Sequence, residues 1–317
     1  MAGALMDPTR APLAFGRRAV PQLFEQLQRP ETGTRLRALA SLCDLIHDPE
    51  RLYQTVKGGF LERLKVLLKD EDPSVRARTC ELLHLLTAHS VGRYSTNTAF
   101  ISLSKRCCLF NCVRGAEALL TLVPKLMLKL RDDEDEEEEE EEEVQVLLLS
   151  TISCCSRLDA LPALASDGVS LLGHKLLHRS PNIRREAAAA MMALSIPEDG
   201  KRQVCKEAVL PVLVGLLQDE DMEVQANAAG VIMYTVIITT GKQQCLDLDV
   251  VPVLLALVKA LILYSLRTLT SLAEAPDGRR LLLEQLPLLL RRSEAAEEDR
   301  DIRRAAQTAV RVVTWTP

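Results

Sequence analysis

Residues Leu216–Ile232 read LLQDEDMEVQANAAGVI, and this stretch decides the fold class of the chain. It contains an apolar helix end, a short acidic break and the start of a second amphipathic helix. The same arrangement recurs in Leu67–Leu83, which reads LLKDEDPSVRARTCELL, and in Leu176–Met192, which reads LLHRSPNIRREAAAAMM. Such self-similarity indicates an array of repeated structural units.

The repeats follow a regular period. Leu27 and Leu68 are 41 residues apart, Leu177 and Leu217 are 40 apart, and Leu217 and Val258 are 41 apart. A period of about 40 to 47 residues is typical of armadillo and HEAT arrays, in which each unit contains two or three helices.

Apolar side chains within one unit follow the helical period on both sides of the acidic break. The first stripe contains Val209, Val212, Leu213, Leu216 and Leu217, and the second contains Val224, Ala228, Val231 and Ile232. Neither helix can bury its stripe alone, so neighbouring units must stack. We therefore predict an all-α, armadillo/HEAT-type right-handed α-solenoid that forms a single repeat domain over residues 1–317.

A glycine followed by a cation marks each unit. The pairs are Gly92-Arg93, Gly200-Lys201, Gly241-Lys242 and Gly278-Arg279. Glycine readily adopts the left-handed conformation that ends a helix, so we expect these pairs to lie at helix ends. They lack the earlier glycine of a phosphate-binding loop.

The period breaks in two places. Residues 94–115 lack a clean helical pattern, and Leu68 to Leu130 spans 62 residues, whereas two units need about 82. Around residues 259–265 the polar turn is missing, which makes that unit about ten residues short of the period. The array is therefore expected to contain two shortened repeats.

Acidic residues are concentrated in one run. The net charge is -5, yet 12 of the 44 acidic residues lie between Asp132 and Glu143, and the remaining 32 acidic and 39 basic residues sum to +7. Like charges in a run repel and stay hydrated, so we expect a disordered acidic loop insert over 132–143, with weak calcium capture or a basic partner as alternatives. The basic excess elsewhere is dispersed and lacks interleaved aromatic residues, so no nucleic acid partner is expected.

Cysteine usage and hydropathy favour the cytoplasm. Adjacent cysteines such as Cys107-Cys108 cannot easily bridge each other, so the nine cysteines are expected to be reduced thiols. The first residues do not follow the pattern of a secretory signal. Val250–Leu266 is almost wholly apolar, but Lys259 interrupts it, and a charge at the bilayer centre costs about 2.5 to 3.5 kcal/mol. We therefore expect a buried helix there and no membrane partner.

Chemically reactive side chains form no recognisable site. His174 and His178 are spaced to share a metal on one helical face, but Lys175 stands where a zinc protease has its glutamate base. The cysteines lack the two-residue spacing of tetrahedral zinc loops. We predict no catalytic, cofactor or metal site, no small-molecule substrate and a protein that is not an enzyme.

Phrases between the repeats carry a more specific signal. They are Leu42–Glu50 (LCDLIHDPE), Gly59–Arg76 (GFLERLKVLLKDEDPSVR), Thr87–Arg93 (TAHSVGR), Ser195–Lys201 (SIPEDGK), Val224–Gly230 (VQANAAG) and Leu272–Arg279 (LAEAPDGR). In these phrases the chain resembles the radial spoke head 14 family of armadillo-repeat proteins, also called rhabdoid tumour deletion region proteins. The segment Gly200–Ile238 also looks like one armadillo repeat, with a short first helix, a second entered near Pro211 and a long third.

The resemblance implies a non-catalytic scaffold in the radial spoke of the motile cilium or flagellum axoneme. Its partners would be other radial spoke proteins, and its location would be the cytoplasm, cytoskeleton and axoneme. The alternative is a cytosolic armadillo adaptor that binds soluble client proteins.

The third helices are the candidate partner-binding elements. In peptide-binding armadillo proteins this helix offers a tryptophan and, four residues on, an asparagine. The corresponding pairs here are Glu81 and Leu85, Ala189 and Ala193, and Gly230 and Tyr234, so the peptide clamp is absent. A smooth groove of small residues suits a helix or a packed domain better. We expect Tyr234, with Arg184 and Arg185 nearby, to contact a partner.

Overall fold

The computed structural model describes residues 19–88, 119–132, 139–257, 262–294 and 300–315. Every regular element in these ranges is a helix, which confirms the all-α prediction. Contacts group the chain into two compact units, Met1–Pro162 and Ala163–Pro317. The predictions of one domain over residues 1–317 and of a right-handed superhelix concern the arrangement of both units and stay predictions.

The first unit contains seven described helices in the ranges given above, together with a 3-10 turn at Leu120–Leu122. They are α1 (Ala19–Gln26), α2 (Thr32–Ile46), α3 (Pro49–Lys57), α4 (Leu61–Leu67), α5 (Pro73–Ala88), α6 (Val123–Asp132) and α7 (Glu139–Ser156). The long helices α2, α5 and α7 pack in succession against one another. The short helix α8 (Leu161–Leu164) follows at the division between the units.

The second unit continues with α9 to α19. These helices are α9 (Gly168–Lys175), α10 (Pro181–Leu194), α11 (Glu198–Lys206), α12 (Leu210–Leu216), α13 (Met222–Thr235), α14 (Thr239–Asp247), α15 (Val250–Leu257), α16 (Ile262–Leu272), α17 (Pro276–Glu284), α18 (Leu286–Glu294) and α19 (Arg300–Val313). A short first helix, a short second helix and a long third helix recur as α11 to α13, α14 to α16 and α17 to α19. The third helices α10, α13, α16 and α19 pack in succession.

The predicted apolar stripes form the core of the second unit. Leu213 is buried in α12, Val209 and Leu217 are buried at its two ends, and Val224 and Ile232 are buried on α13. Val212 of the first stripe is only half-buried. The second helix begins at Leu210 with Pro211 in its first turn, where the missing N–H of proline costs no hydrogen bond. The three-helix composition predicted for Gly200–Ile238 is confirmed.

The structure corrects the register of one repeat by one residue. Leu177 was aligned with Leu217, but its side chain is 69% exposed, whereas Leu176 and Leu217 are 0% exposed. Leu176 is therefore the equivalent of Leu217, and the spacing is 41 rather than 40 residues. The turn that follows has the same length in both repeats, because α10 begins at Pro181 and α13 at Met222, each five positions after the buried leucine.

In the three glycine-cation pairs that the structure describes, the glycine has a different role from the one predicted. Gly200, Gly241 and Gly278 lie in the first turn of α11, α14 and α17. A Cβ atom on them would lie 1.7, 2.2 and 2.1 Å from the carbonyl oxygens of Leu194, Thr235 and Leu272. Glycine is therefore required here because two backbone segments approach closely, and not because of a left-handed conformation. Gly92 lies outside the described residues.

Left-handed backbone occurs instead between the first and second helices of the repeats. The residues with positive φ are Gly59, Asp167, Ala208 and Asp249, with φ of 68°, 55°, 53° and 50°. The last three are spaced by 41 residues each. The turn conformation thus follows the repeat even where the side chain is not glycine.

The apolar stretch Val250–Leu266 is divided between two helices. Helix α15 ends at Leu257 and α16 begins at Ile262. Across the described ranges, no helix has the length and apolar character needed to cross a bilayer.

The repeat that was expected to be about ten residues short still has three helices. Helices α11, α14 and α17 begin at Glu198, Thr239 and Pro276, so the spacing is 41 residues and then 37. The unit is therefore four residues shorter than its neighbour. Residues 258–261 within it, and the whole of the other irregular segment, 94–115, lie outside the described residues.

Helices enter the acidic run from both sides. Helix α6 ends at Asp132 and α7 begins at Glu139, so the predicted bounds of the insert, 132–143, are corrected at both ends. Carboxylates are tolerated in a first turn because the helix dipole is positive there, and α7 continues into the buried residues Val144 and Leu148. The loop itself stays a prediction, since residues 133–138 lie outside the described residues.

Candidate protein-binding face

Arg184 joins two successive repeats of the second unit. Its Nε and Nη2 atoms donate hydrogen bonds of 2.8 and 3.1 Å to the two carboxylate oxygens of Asp219. Its Nη1 atom donates to the carbonyl oxygens of His178 and Arg179, at 3.0 and 2.9 Å. One side chain therefore fixes the turn before its own helix, α10, and the turn before the next third helix, α13.

Arg185 extends this connection to the first turn of α13. It donates a hydrogen bond to Asp221, and its Nε atom lies 3.0 Å from the Glu223 carboxylate. The other oxygen of Asp221 accepts hydrogen bonds from the amides of Glu223 and Val224, at 2.8 and 3.2 Å. Asp221 therefore caps α13 and binds the previous repeat at the same time.

The first unit contains the same arrangement. Arg35 donates to Asp70 at 2.9 Å, again across 35 positions, and its Nη1 atom donates to the carbonyl oxygens of Arg29 and Pro30. Asp72 caps α5 as Asp221 caps α13. We call the pairing of an early third-helix arginine with the following Asp-X-Asp turn the arginine latch.

Hydrogen bonds within the latch shift the pKa values of its members. Burial raises the pKa of Asp219, but hydrogen bonds from Arg184 and the Asp221 amide outweigh it and leave the pKa below its usual value. The hydrogen bond from Arg185 likewise lowers the pKa of Asp221. The hydrogen bond to Asp219 raises the pKa of Arg184, and that to Asp221 raises the pKa of Arg185. Both pairs are therefore ionised at neutral pH.

Two of the three predicted partner-binding residues thus have a structural role. Arg184 and Arg185 are 17% and 33% exposed, and they bind acids of their own chain. The sequence analysis treated the acids between Gln218 and Met222 only as a break between two helices. It missed the arginine 35 positions earlier, although the recurrence of Asp70 and Asp72 as Asp219 and Asp221 could have indicated it.

At Gly230, the predicted smooth groove is filled by side chains from neighbouring helices. A Cβ atom on Gly230 of α13 would lie 2.3 Å from the sulfur of Met192 on α10 and 3.8 Å from Cε1 of Tyr264 on α16. Gly230 is buried, whereas Met192 and Tyr264 are half-buried. Small residues therefore leave room for larger neighbours rather than an open channel.

Tyr234, the third predicted contact residue, lies one helical turn beyond Gly230 on α13 and is half-buried. Residues four apart share a helix face, so Tyr234 lies on the same side of α13 as Gly230, near which Met192 and Tyr264 pack. We call these four residues the apolar strip. Asn227 lies about one turn before Gly230 on α13, and its side-chain amide donates a hydrogen bond of 3.3 Å to the Arg185 carbonyl oxygen.

The apolar strip has the chemistry of a protein-contact surface. It is partly exposed and spans three third helices of one unit, and the latch fixes the spacing of two of them, α10 and α13. Aromatic and methionine side chains are enriched where proteins bind one another. The strip can therefore accept apolar side chains of a partner helix or packed domain.

The candidate metal ligands His174 and His178 do not lie on the same helix. His174 is exposed on α9, but His178 lies beyond its end, and Nδ1 of His178 accepts the Ser180 amide at 3.0 Å. Burial raises the pKa of Cys43, Cys155 and Cys245 to about 12. No group of three or more metal-ligating side chains is found in the described part of the chain. Cys107, Cys108 and Cys112 lie outside it.

One repeat matches a known family model. Residues 197–232, which contain α11, α12 and most of α13, match the armadillo/β-catenin-like repeat. This is the same part of the chain in which the sequence predicted an armadillo unit.

Solved structures support the same fold for most of the chain. An engineered protein is similar with a TM-score of 0.64 and 17% identity, over 93% of this chain and 78% of that one. Computationally designed armadillo repeat proteins for modular peptide recognition give a TM-score of 0.58 and 19% identity, over 92% of this chain and 99% of that one. A designed armadillo repeat protein in complex with the peptide (KR)4 is similar with a TM-score of 0.58 and 18% identity, over 93% of this chain and 99% of that one. The chain therefore has an armadillo-type α-solenoid fold.

Proposed function

We propose that this armadillo-type α-solenoid is a non-catalytic scaffold of the radial spoke, and that it supports ciliary motility by holding other spoke proteins in the axoneme. The armadillo-type fold supports the general part of this proposal, which is binding of protein partners. The radial spoke assignment is the finer part, and it rests on the phrases that resemble the radial spoke head 14 family.

The apolar strip is the observation that carries the binding role. Met192, Tyr234 and Tyr264 are half-buried in the chain by itself, so each retains apolar surface that a partner can cover. A helix laid across third helices contacts such side chains at intervals of one turn. The absence of a tryptophan and asparagine pair at Ala189, Ala193 and Gly230 favours this mode over the clamping of an extended peptide.

The charged residues of the neighbouring latch also argue for a folded partner. Arg184 and Arg185 are engaged by Asp219 and Asp221, so they are poor contacts for an acidic peptide. An extended peptide loses conformational freedom when it binds, and apolar contacts alone offset little of that cost. A partner helix satisfies its own backbone and presents apolar side chains on one face.

Fractionation of motile cilia tests the cellular part of the proposal. Detergent removes the ciliary membrane and the soluble matrix, and a spoke component stays with the axoneme. Cross-linking mass spectrometry of that axoneme should then connect the chain to radial spoke proteins. Recovery in the detergent extract with soluble clients would support the alternative, a cytosolic armadillo adaptor.

A pair of variants tests the binding surface. Tyr234→Glu combined with Tyr264→Glu places two charges on the strip and should reduce co-purification of the partner by at least about tenfold. Val66→Glu is the matched control, because Val66 is 72% exposed and lies in the first unit. Equal recovery with both variants, at equal helical content, would exclude the strip as the contact surface.

A further inference from the structure

An arginine occupies in α16 a position that small residues occupy in α10 and α13. The three helices are aligned by the carbonyl groups that lie against the conserved-phase glycines of the next repeats. These carbonyl groups belong to Leu194, Thr235 and Leu272. The residues five positions before them are Ala189, Gly230 and Arg267.

The contacts of Gly230 show where this position lies. A Cβ atom on Gly230 would lie 2.3 Å from Met192 of the preceding third helix and 3.8 Å from Tyr264 of the following one. The position therefore lies on the face that carries the apolar strip. Residues three apart share a helix face, so Arg267 lies beside Tyr264 on α16. Arg267 is exposed.

Arg267 is a cation without a counter-charge in the described ranges, where it makes no hydrogen bond or ion pair. Helix α16 contains no acidic residue. In the adjoining third helices, α13 and α19, acids stand only in the first turn, and Glu223 of α13 is engaged by Arg185. Arg267 also lies six positions after residue 261, the nearest residue of its segment outside the described ranges, which is about 9 Å along a helix.

The first unit shows how a charge at this position is balanced. Glu81 of α5 and Gly230 of α13 are both the ninth residues of their helices. Arg78, three positions before Glu81, forms an ion pair of 2.5 Å with it. The equivalent residues of α16 are Tyr264 and Arg267, so the charge of Arg267 is not balanced within its own helix.

The combination of side chains specifies the chemistry of a partner. Tyrosine, methionine and arginine are the side chains that protein interfaces enrich, and tyrosine and arginine dominate their binding energy. A partner helix with only apolar side chains would cover the Arg267 guanidinium without pairing it, which costs free energy. We infer that the partner helix bound by the apolar strip carries an aspartate or glutamate that pairs with Arg267. The inference rests on the proposed function, because it names the partner chemistry of the same strip.

The spacing of the helices sets the position of this acid in the partner. Packed helices lie about 8 to 10 Å apart, and a helix rises about 1.5 Å per residue. Gly230 and Arg267 occupy the same position on neighbouring third helices. The acid should therefore lie about six or seven residues, or two turns, from the apolar side chain that packs beside Gly230.

A pair of synthetic peptides tests the carboxylate. Both are helices based on alanine and glutamine, with three leucines at intervals of one turn. One turn beyond the last leucine, one peptide has a glutamate and the other a glutamine. Each peptide is labelled with fluorescein and titrated with the full chain, and its anisotropy is followed. We expect the glutamate peptide to bind about fivefold more tightly at low salt, with a smaller difference at high salt.

Protein variants assign the difference to Arg267. Arg267→Gln should lose the preference for the glutamate peptide, because the cation is removed. Arg267→Glu should instead prefer a third peptide, which has lysine in place of the glutamate. Arg280→Gln is the matched control, since Arg280 is 71% exposed in the same unit, and it should keep the preference. Circular dichroism establishes that the variants fold, and the peptide pair tests the inference on unaltered protein.

The outcomes separate this inference from the proposed function. Equal affinity of the unaltered chain for the two peptides, or an unchanged preference in Arg267→Gln, would overturn the inference and leave binding at the strip intact. No binding of either peptide up to about 1 mM protein would exclude the strip as a helix site. Binding that Tyr234→Glu combined with Tyr264→Glu leaves unchanged would do the same, and either result would overturn both proposals.

Discussion

Arg184 and Asp219 lie 35 positions apart and are held together by hydrogen bonds of 2.8 and 3.1 Å between a guanidinium group and a carboxylate. Arg35 and Asp70 repeat both the separation and the pairing. A 35-residue separation connects the start of one third helix to the turn before the next. The latch therefore determines how successive third helices of one unit align.

Removing one partner of the latch should destabilise the second unit. Asp219→Ala leaves the largely covered guanidinium of Arg184 without its carboxylate, and breaking a buried pair costs about 3 to 5 kcal/mol. Because Arg184 is 17% exposed, we expect a smaller loss of about 2 kcal/mol in the free energy of unfolding, measured in urea.

A double-mutant cycle separates the pair from its surroundings. Arg184→Met with Asp219→Ala should cost less than the sum of the single variants, because the two residues interact. Lys206→Ala is the control, since the Lys206 side chain is 82% exposed in its pair with Glu207 and such pairs contribute little. Strict additivity of the latch variants would contradict the assignment.

Two glycines should respond oppositely to alanine. Gly200→Ala places a Cβ atom 1.7 Å from the Leu194 carbonyl oxygen, so backbone must move, and we expect a loss of about 3 kcal/mol. Gly215→Ala in α12 meets no atom within 4 Å and should gain about 0.5 to 1 kcal/mol from helix propensity.

Thermal and urea unfolding of both variants check this prediction. If Gly200→Ala proved as stable as Gly215→Ala, the close approach of α11 to the end of α10 would not be a constraint on the repeat.

Acid should weaken the latch. The pKa values of Asp219 and Asp221 are lowered in the folded chain, so the unfolded state binds protons more readily. Their contribution to stability is fully present above the unfolded pKa of about 3.9 and is lost as pH falls through the lowered folded values. Urea midpoints should therefore decline below about pH 4.

The variant Asp221→Asn tests whether the latch causes this decline. It removes one titrating group, so the urea midpoint should decline less steeply with falling pH than in the wild type. An unchanged decline would assign the acid sensitivity to other carboxylates.

The left-handed turn offers a stabilising substitution. Ala208 is exposed and has a φ of 53°, a conformation that costs a residue with a Cβ about 1 kcal/mol. Ala208→Gly should therefore raise the free energy of unfolding by up to about 0.5 kcal/mol after the added freedom of the unfolded chain is deducted. Ala189→Gly, inside α10, should lower it by about 1 kcal/mol. The same sign for both variants would contradict the conformation assigned to Ala208.

Periodicity predicted the helices correctly where the stripes were long and regular. The buried positions Val209, Leu213, Val224 and Ile232 follow from the 3.6-residue period and from apolar burial. The error between Leu176 and Leu177 arose because both are leucines, and only the packing shows which one faces the core.

The candidate site was less predictable for a related reason. Arg184 and Arg185 read as exposed cations at the start of a helix, and nothing local indicates that Asp219 and Asp221 lie beside them. The glycines were correctly singled out, but their spacing could not reveal which carbonyl oxygen lies against Gly200 or Gly241.

The sequence by itself determined the class of fold and the length of its repeat, because apolar periodicity and turn chemistry are local properties that each segment carries alone. Only the tertiary structure decided the partners of the arginines, the reason for the glycines and the filling of the groove around Gly230. These depend on which surfaces meet when one repeat stacks on the next, and contacts between residues about 40 positions apart are fixed by packing rather than by local preference.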